Sequence, residues 1–355
     1  MEVYPMRKLL LLTAGVLFVL GSAAYAFHDE GVARCSGCHT MHNSQNNAPV
    51  DPNSPGNPWL LKDATPSDVC LSCHATSRGN EFSGTPLTPP AQTGAGSFIF
   101  LTATNLYDGR SGTVPGSAAG HSIVAPSVGL AADGTIGTAP GAAGSAPFSS
   151  QDLGCSSCHD PHGNTNFRLL HGIGAIQDGI FTFTNPAPVA VGTSYSTAET
   201  NSAHTAYQSG MSAWCGNCHG NYHDDNSGLK HPSGIALGGT IAGIYNRYNG
   251  TGDQTGGLTA TAYLAAVPFE DPANTTSSTA GPTASSQVMC LTCHRAHASS
   301  APDAGRWDFN IGVLSEDGVN SGTYAIPNPY PNPLAEQRSL CNKCHNKDVD
   351  DALLF

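Results

Sequence analysis

All 12 cysteines of this 355-residue chain fall in one pattern, C-x-x-C-H, which occurs six times. The copies are Cys35-Ser-Gly-Cys38-His39, Cys70-Leu-Ser-Cys73-His74, Cys155-Ser-Ser-Cys158-His159, Cys215-Gly-Asn-Cys218-His219, Cys290-Leu-Thr-Cys293-His294 and Cys341-Asn-Lys-Cys344-His345. No cysteine is left over. A single copy could be half a zinc site or a redox dithiol. Zinc combines its ligands in fours, however, and a dithiol has no need of the trailing histidine. C-x-x-C-H is the attachment signature of haem c: two thiols bond to the ring's vinyl groups, and the histidine becomes the proximal iron ligand. Six copies predict six covalently attached haem c groups.

The first 26 residues read as an export signal that is cleaved. Arg7 and Lys8 precede an apolar run, Leu9 to Leu20, and Ala24-Tyr25-Ala26 supplies small residues for cleavage. That run is shorter than the roughly 20 residues of a transmembrane helix, and no later stretch is long and apolar enough to span a bilayer. The mature chain is expected to start at Phe27, with residues 27–355 forming a single elongated domain. A net charge of −12 argues against nucleic acid or an anionic membrane as partner. Export would ordinarily turn paired cysteines into disulfides, but the spacing overrules that default.

Between the motifs the chain is rich in Gly, Pro, Ser, Thr and Ala, with 41 glycines, 25 prolines and only 11% charged residues. Breakers are too frequent over 83–97 and 126–150 for regular structure. The expected fold is mostly coil with few short helices, with a continuous haem chain as its core. Ile241, Ile244, Tyr245 and Tyr248 have helical spacing, Thr259 to Val267 suggests a further short helix, and Ser97 to Leu101 a brief strand. Each motif should add about a turn of helix. The motifs start at uneven intervals, which argues against a true sequence repeat. Trp59, Trp214 and Trp307 are expected to pack on haem.

Six histidines are proximal ligands: His39, His74, His159, His219, His294 and His345. Nine remain, and six irons each need a sixth ligand. Beyond the export signal the chain has three methionines, Met41, Met211 and Met289, so bis-histidine ligation is the simpler expectation. Such ligation lacks the potential-raising thioether, so low reduction potentials follow. His42, His162 and His297 each stand three residues after a proximal histidine, and His223 stands four after His219. Three residues reach at most about 10–11 Å. That is too short to round a porphyrin edge, so as ligands these must serve the iron of another haem. The rings would then be held close together in a row.

With these features the sequence resembles the OmcS-type outer-surface hexahaem cytochromes of metal-reducing bacteria, which polymerise into conductive filaments. The resemblance runs through Phe27-His28, Thr40-Met41-His42-Asn43-Ser44, Gly120-His121-Ser122-Ile123, Asp160-Pro161-His162-Gly163, Gly210-Met211-Ser212-Ala213-Trp214, His231-Pro232 and Arg295-Ala296-His297. It implies bis-histidine ligation at all six haems. It also implies that His42 ligates a neighbouring subunit's haem, the one attached through Cys290 and Cys293. Seven spare histidines lie in matched segments: His28, His42, His121, His162, His223, His231 and His297. One of them is surplus. His171 and His204 fall outside the match and are expected not to ligate.

The expected function is electron conduction by a polymer of identical subunits, passing electrons to external acceptors from the cell surface or an extracellular filament. A multihaem reductase would instead need an open iron. A monomeric periplasmic shuttle would need no polymer.

Overall fold

The computed structural model describes residues 28, 35–45, 48–49, 59–75, 79–91, 94–108, 112–143, 147–193, 197–223, 233–251, 255–317, 324–330, 334–348 and 351. The expected export signal, 1–26, lies outside them. No helix among the described residues is long and apolar enough to cross a membrane.

Coil predominates, as the density of breakers requires. Seven α-helices are described: α1 Cys35–Cys38, α2 Pro66–His74, α3 Cys155–Cys158, α4 Met211–Cys215, α5 Gly220–His223, α6 Gly238–Arg247 and α7 Cys290–Cys293. The sixth motif lies in a 3-10 turn, Leu340–Lys343. Among the described residues strands form two-stranded antiparallel ribbons, such as Leu106–Asp108 with Gly112–Val114. The helix expected around Ile241 is α6, which buries Ala242, Ile244 and Tyr245. Two local expectations need correction. Thr259 starts only a 3-10 turn, Thr259–Thr261. The segment from Ser97 is a 3-10 helix, Phe98–Thr102, because the Ser97 hydroxyl accepts the Ile99 N–H and caps it.

The motif helices are short, so their ends decide their stability. Thr65 caps α2, its hydroxyl accepting the Asp68 N–H at 3.1 Å, with Pro66 in the first turn where no donor is missed. Asp68 is buried and takes the Ser127 N–H and hydroxyl at 2.9 and 2.6 Å, tying α2 to a distant loop. In α3 and α7 the third residue, Ser157 or Thr292, turns its hydroxyl back to accept the N–H of Gly154 or Met289.

A backbone repeat underlies the uneven motif spacing. The segments 155–171 and 290–306 share a set of backbone bonds at equivalent positions. Asp160 N–H donates to Leu169 O at 2.8 Å, and Arg295 N–H to Ala304 O at 2.7 Å; His171 N–H reaches Cys158 O, and Arg306 N–H reaches Cys293 O. The first motif repeats them across a longer loop, with Thr40 N–H on Leu60 O and Lys62 N–H on Cys38 O. Left-handed backbone at Arg168 and Leu169, and again at Asp303 and Ala304, turns the chain back towards its motif.

Side-chain cores are small and separate. The largest groups Tyr245, Tyr248, Tyr263, Phe269, Trp307, Leu314 and Leu340, with Cys293 and Cys344 against it. Others gather around Phe98 and Ile123, and around Met211, Met289 and Tyr207.

Candidate haem-binding sites

Haems are numbered 1 to 6 by the order of their motifs. The cysteines place consecutive motifs side by side, in an alternating way. The Cys70 and Cys155 side chains lie against each other, which pushes Cys70 up and Cys155 down; Cys215 and Cys290 do the same, Cys215 raised and Cys290 lowered. These are the first cysteines of motifs 2 and 3, and of 4 and 5. The second cysteines make the other contacts. Burial, then the nearby Cys218, raises Cys158 to about 12. Cys293 is likewise raised to about 12 by burial, then by Cys341 and Cys344, and Cys38 feels Cys73 after burial. The six attachment points therefore run in sequence order. Cys35 and Cys341, at the two ends of this row, are exposed, as is Cys73.

Serine hydroxyls fix the first-cysteine contacts. Ser67 accepts the Cys155 N–H at 3.2 Å, and Ser212 accepts the Cys290 N–H at 3.0 Å. Each serine stands three residues before its own motif's first cysteine, so one motif helix caps the next.

Five histidine rings are oriented by backbone carbonyls. Nδ1 of His39 donates to Trp59 O at 2.9 Å. At 2.7 Å, Nδ1 of His121 donates to Ala296 O, His159 to Arg168 O, His219 to Pro140 O and His294 to Asp303 O. A carbonyl only accepts, so Nδ1 carries the proton and the Nε2 lone pair is left for a metal. The left-handed residues 168 and 303 belong to the turns that aim these carbonyls.

Histidines face one another in four pairs. Ring centroids are 6.1 Å apart for His28 and His74, 6.3 Å for His39 and His162, 5.9 Å for His121 and His219, and 6.4 Å for His159 and His297. Two imidazole nitrogens about 2 Å either side of a metal place the centroids about 6.3 Å apart. All four gaps fit one iron between two imidazoles. Desolvation by the surrounding chain, then His219, lowers His121 to about 4, which favours the neutral ring that ligation requires. Burial, then His159, lowers His297 to about 3.

These features can be set beside known proteins. A model of the doubled CXXCH motif matches residues 28–79 and 146–177. The C-type cytochrome OmcS of Geobacter sulfurreducens is 34% identical, over 97% of this chain and 99% of that protein. Two solved structures from the same organism, an Outer Membrane Cytochrome S filament and the OmcS nanowires, superpose with TM-scores of 0.75 and 0.74. Both are 31% identical and cover 91% of this chain and 100% of theirs. The chain belongs to the OmcS family. It is a multihaem c-type cytochrome with six haem c groups, and its few short helices and abundant coil are that family's fold.

Against this OmcS-type fold the expected site residues can be placed. His28, His121, His162 and His297 each face a proximal histidine. His42 is exposed, and no described proximal histidine stacks on it. His223 closes α5, and His231 lies outside the described residues. His345 is exposed. His171 Nε2 contacts Ser156 O at 2.9 Å, and both His204 nitrogens face carbonyls, of Thr205 and Ser278. Met211 and Met289 are buried together in a side-chain cluster. Trp59 is 71% exposed; Trp214 donates Nε1 to His171 O, and Trp307 is buried in the side-chain cluster around Tyr245.

Proposed function

We propose that this cytochrome is the subunit of an extracellular filament that conducts electrons along its row of bis-histidine haems. In this reading Cys35, Cys38, Cys70, Cys73, Cys155, Cys158, Cys215, Cys218, Cys290, Cys293, Cys341 and Cys344 hold the rings, and the histidine of each motif is the proximal ligand. The haems supply reversible iron redox chemistry. The protein sets their order, their spacing and the closure of their axial positions.

One observation carries the polymer. The second histidine of motif 5, His297, faces the proximal histidine of motif 3; that of motif 3, His162, faces the one of motif 1. Each odd motif thus serves the haem two places back. Motif 1 has no such place within its own chain, so His42 serves haem 5, at His294, of a neighbouring subunit. Even haems follow a parallel rule. His28 lies before motif 1 and serves haem 2, and His121 lies before motif 3 and serves haem 4. The ligand of haem 6 then lies before motif 5, which leaves His223 or His231, and the other is the surplus one.

The exposed ends agree with this assembly. The alternation of thiol contacts would next bring Cys341 against Cys35 of another copy, and both are exposed. Met41, next to His42 in sequence, and Trp59, whose carbonyl holds His39, are 80% and 71% exposed and supply apolar surface suited to burial. Export through residues 1–26, a single domain over 27–355 and delivery of electrons to acceptors outside the cell complete the reading. Four closed imidazole pairs favour electron transfer over catalysis at an open iron.

The test is His42→Ala. It should retain six haems per chain, lose filaments in negative-stain images and open one haem per chain to cyanide. Normal filaments from the variant would overturn the proposal.

A further inference from the structure

The four histidine pairs differ in a respect that their spacing does not predict. The ring planes are nearly parallel at haem 2, with 8° between His28 and His74, and at haem 1, with 9° between His39 and His162. They are crossed at haem 4, with 57° between His121 and His219, and at haem 3, with 68° between His159 and His297. We propose that the chain builds two electronic classes of haem, and that the crossed pair, haems 3 and 4, holds electrons in preference to haems 1 and 2. This rests on bis-histidine ligation at these four positions.

The reason lies in how imidazole meets iron. Each ring donates π density into the iron d orbital perpendicular to its own plane. Parallel rings raise the same orbital, split the pair and give the ferric hole a well-defined place, which stabilises ferric iron. Crossed rings raise both orbitals together. The splitting collapses, that stabilisation is lost and the ferrous state gains. Axial ligand arrangement is one of the levers by which a protein tunes haem. A near-degenerate ferric iron also has a distinct magnetic signature, one broad resonance at large g in place of a resolved rhombic set.

The crossed angles are held by protein. At haem 4 both rings are pinned, His121 by Ala296 O and His219 by Pro140 O, each at 2.7 Å. At haem 3, Arg168 O pins His159 at 2.7 Å, and the His297 ring lies on the Phe98 ring, centroids 4.5 Å apart and 21° from parallel. Phe98 is buried and sits in the 3-10 helix capped by Ser97. It touches the ligand and not its attachment, so it is a positioning residue for the plane of His297.

Electron paramagnetic resonance of the ferric, assembled wild-type protein tests the inference. Large-g and rhombic low-spin signals should both be present, each accounting for at least two of the six haems. On stepwise reduction the large-g signal should fade first. A purely rhombic spectrum, or loss of the rhombic signal first, would overturn the inference. Phe98→Leu should shift part of the large-g signal while every haem stays low spin, and Phe98→Tyr should leave it in place. An unchanged spectrum in Phe98→Leu would remove Phe98 from the argument, and the reduction order in wild type decides the rest. High-spin iron in the intact filament would instead count against ligation itself, so the two failures are distinguishable.

Discussion

The Ser212 hydroxyl accepts the backbone N–H of Cys290 at 3.0 Å, so the fourth haem motif caps the helix that opens the fifth. That N–H is in the first turn of α7, where no intrahelical carbonyl is available. Ser212→Ala should therefore cost about 1–2 kcal/mol. The loss should appear as a lower denaturant midpoint with all six haems still attached. An unchanged midpoint would show that the two helices are held together by their haems alone.

In the proposed ligand order two histidines compete for haem 6. Replacing His223 and His231 one at a time by alanine should produce one high-spin haem in a single variant and a wild-type spectrum in the other. Resonance Raman spin-state bands distinguish them. Two silent variants would contradict histidine ligation at that iron.

Lys343, inside the sixth motif, is buried with its ammonium on three carbonyls: Tyr245 O at 2.8 Å, Tyr248 O at 2.9 Å and Ala262 O at 3.1 Å. It also lies 4.2 Å from the centre of the Tyr245 ring. The first two carbonyls close the C-terminal end of α6, where a cation is favoured. Lys343→Met keeps the length but orphans these acceptors, and should cost about 2–4 kcal/mol. Hydrogen exchange should rise at the end of α6 and around Cys341 more than elsewhere. Uniform protection in the variant would refute the clamp.

A pH effect follows from Asp317, which is buried and accepts the Asp308 N–H at 2.9 Å. Burial, then the charge of Asp308, raises it to about 6. An unfolded aspartate titrates near 3.9. The native state thus holds this proton more tightly than the unfolded state, so stability rises as pH falls from about 7 to about 4. The gain is on the order of 2–3 kcal/mol. Asp317→Asn should be more stable than wild type at pH 7 and lose that advantage at pH 4.5. Parallel thermal midpoints at both values would rule this out.

Some of this was legible before any coordinates. Attachment was, because covalent chemistry demands Cys-x-x-Cys-His at fixed spacing. That His162 and His297 would turn to another motif was also legible, because chain reach is a local quantity, and each ring faces a foreign proximal histidine. Which iron each one serves was not. His121 meets His219 only through long coil segments whose course depends on turns. The turns that hold His159 and His294 use left-handed Arg168, Leu169, Asp303 and Ala304, of which only the aspartate is a type that favours such backbone. For that reason the repeat shared by 155–171 and 290–306 was hidden although its motif-closing hydrogen bonds recur. Ser97 misled in the opposite way: its apolar neighbours suggested a strand, but its hydroxyl favoured a capped turn.

The rule that a second histidine serves the haem two places back has a consequence for fibre ends. A fibre built this way completes haem 5 only across a boundary, so every break leaves one five-coordinate iron on one side and one idle imidazole on the other. The two tips are chemically unlike, and growth has a polarity set by which tip is offered the next subunit. Carbon monoxide, which binds only where a coordination place is open, would count the tips, and its stoichiometry would measure mean fibre length in solution.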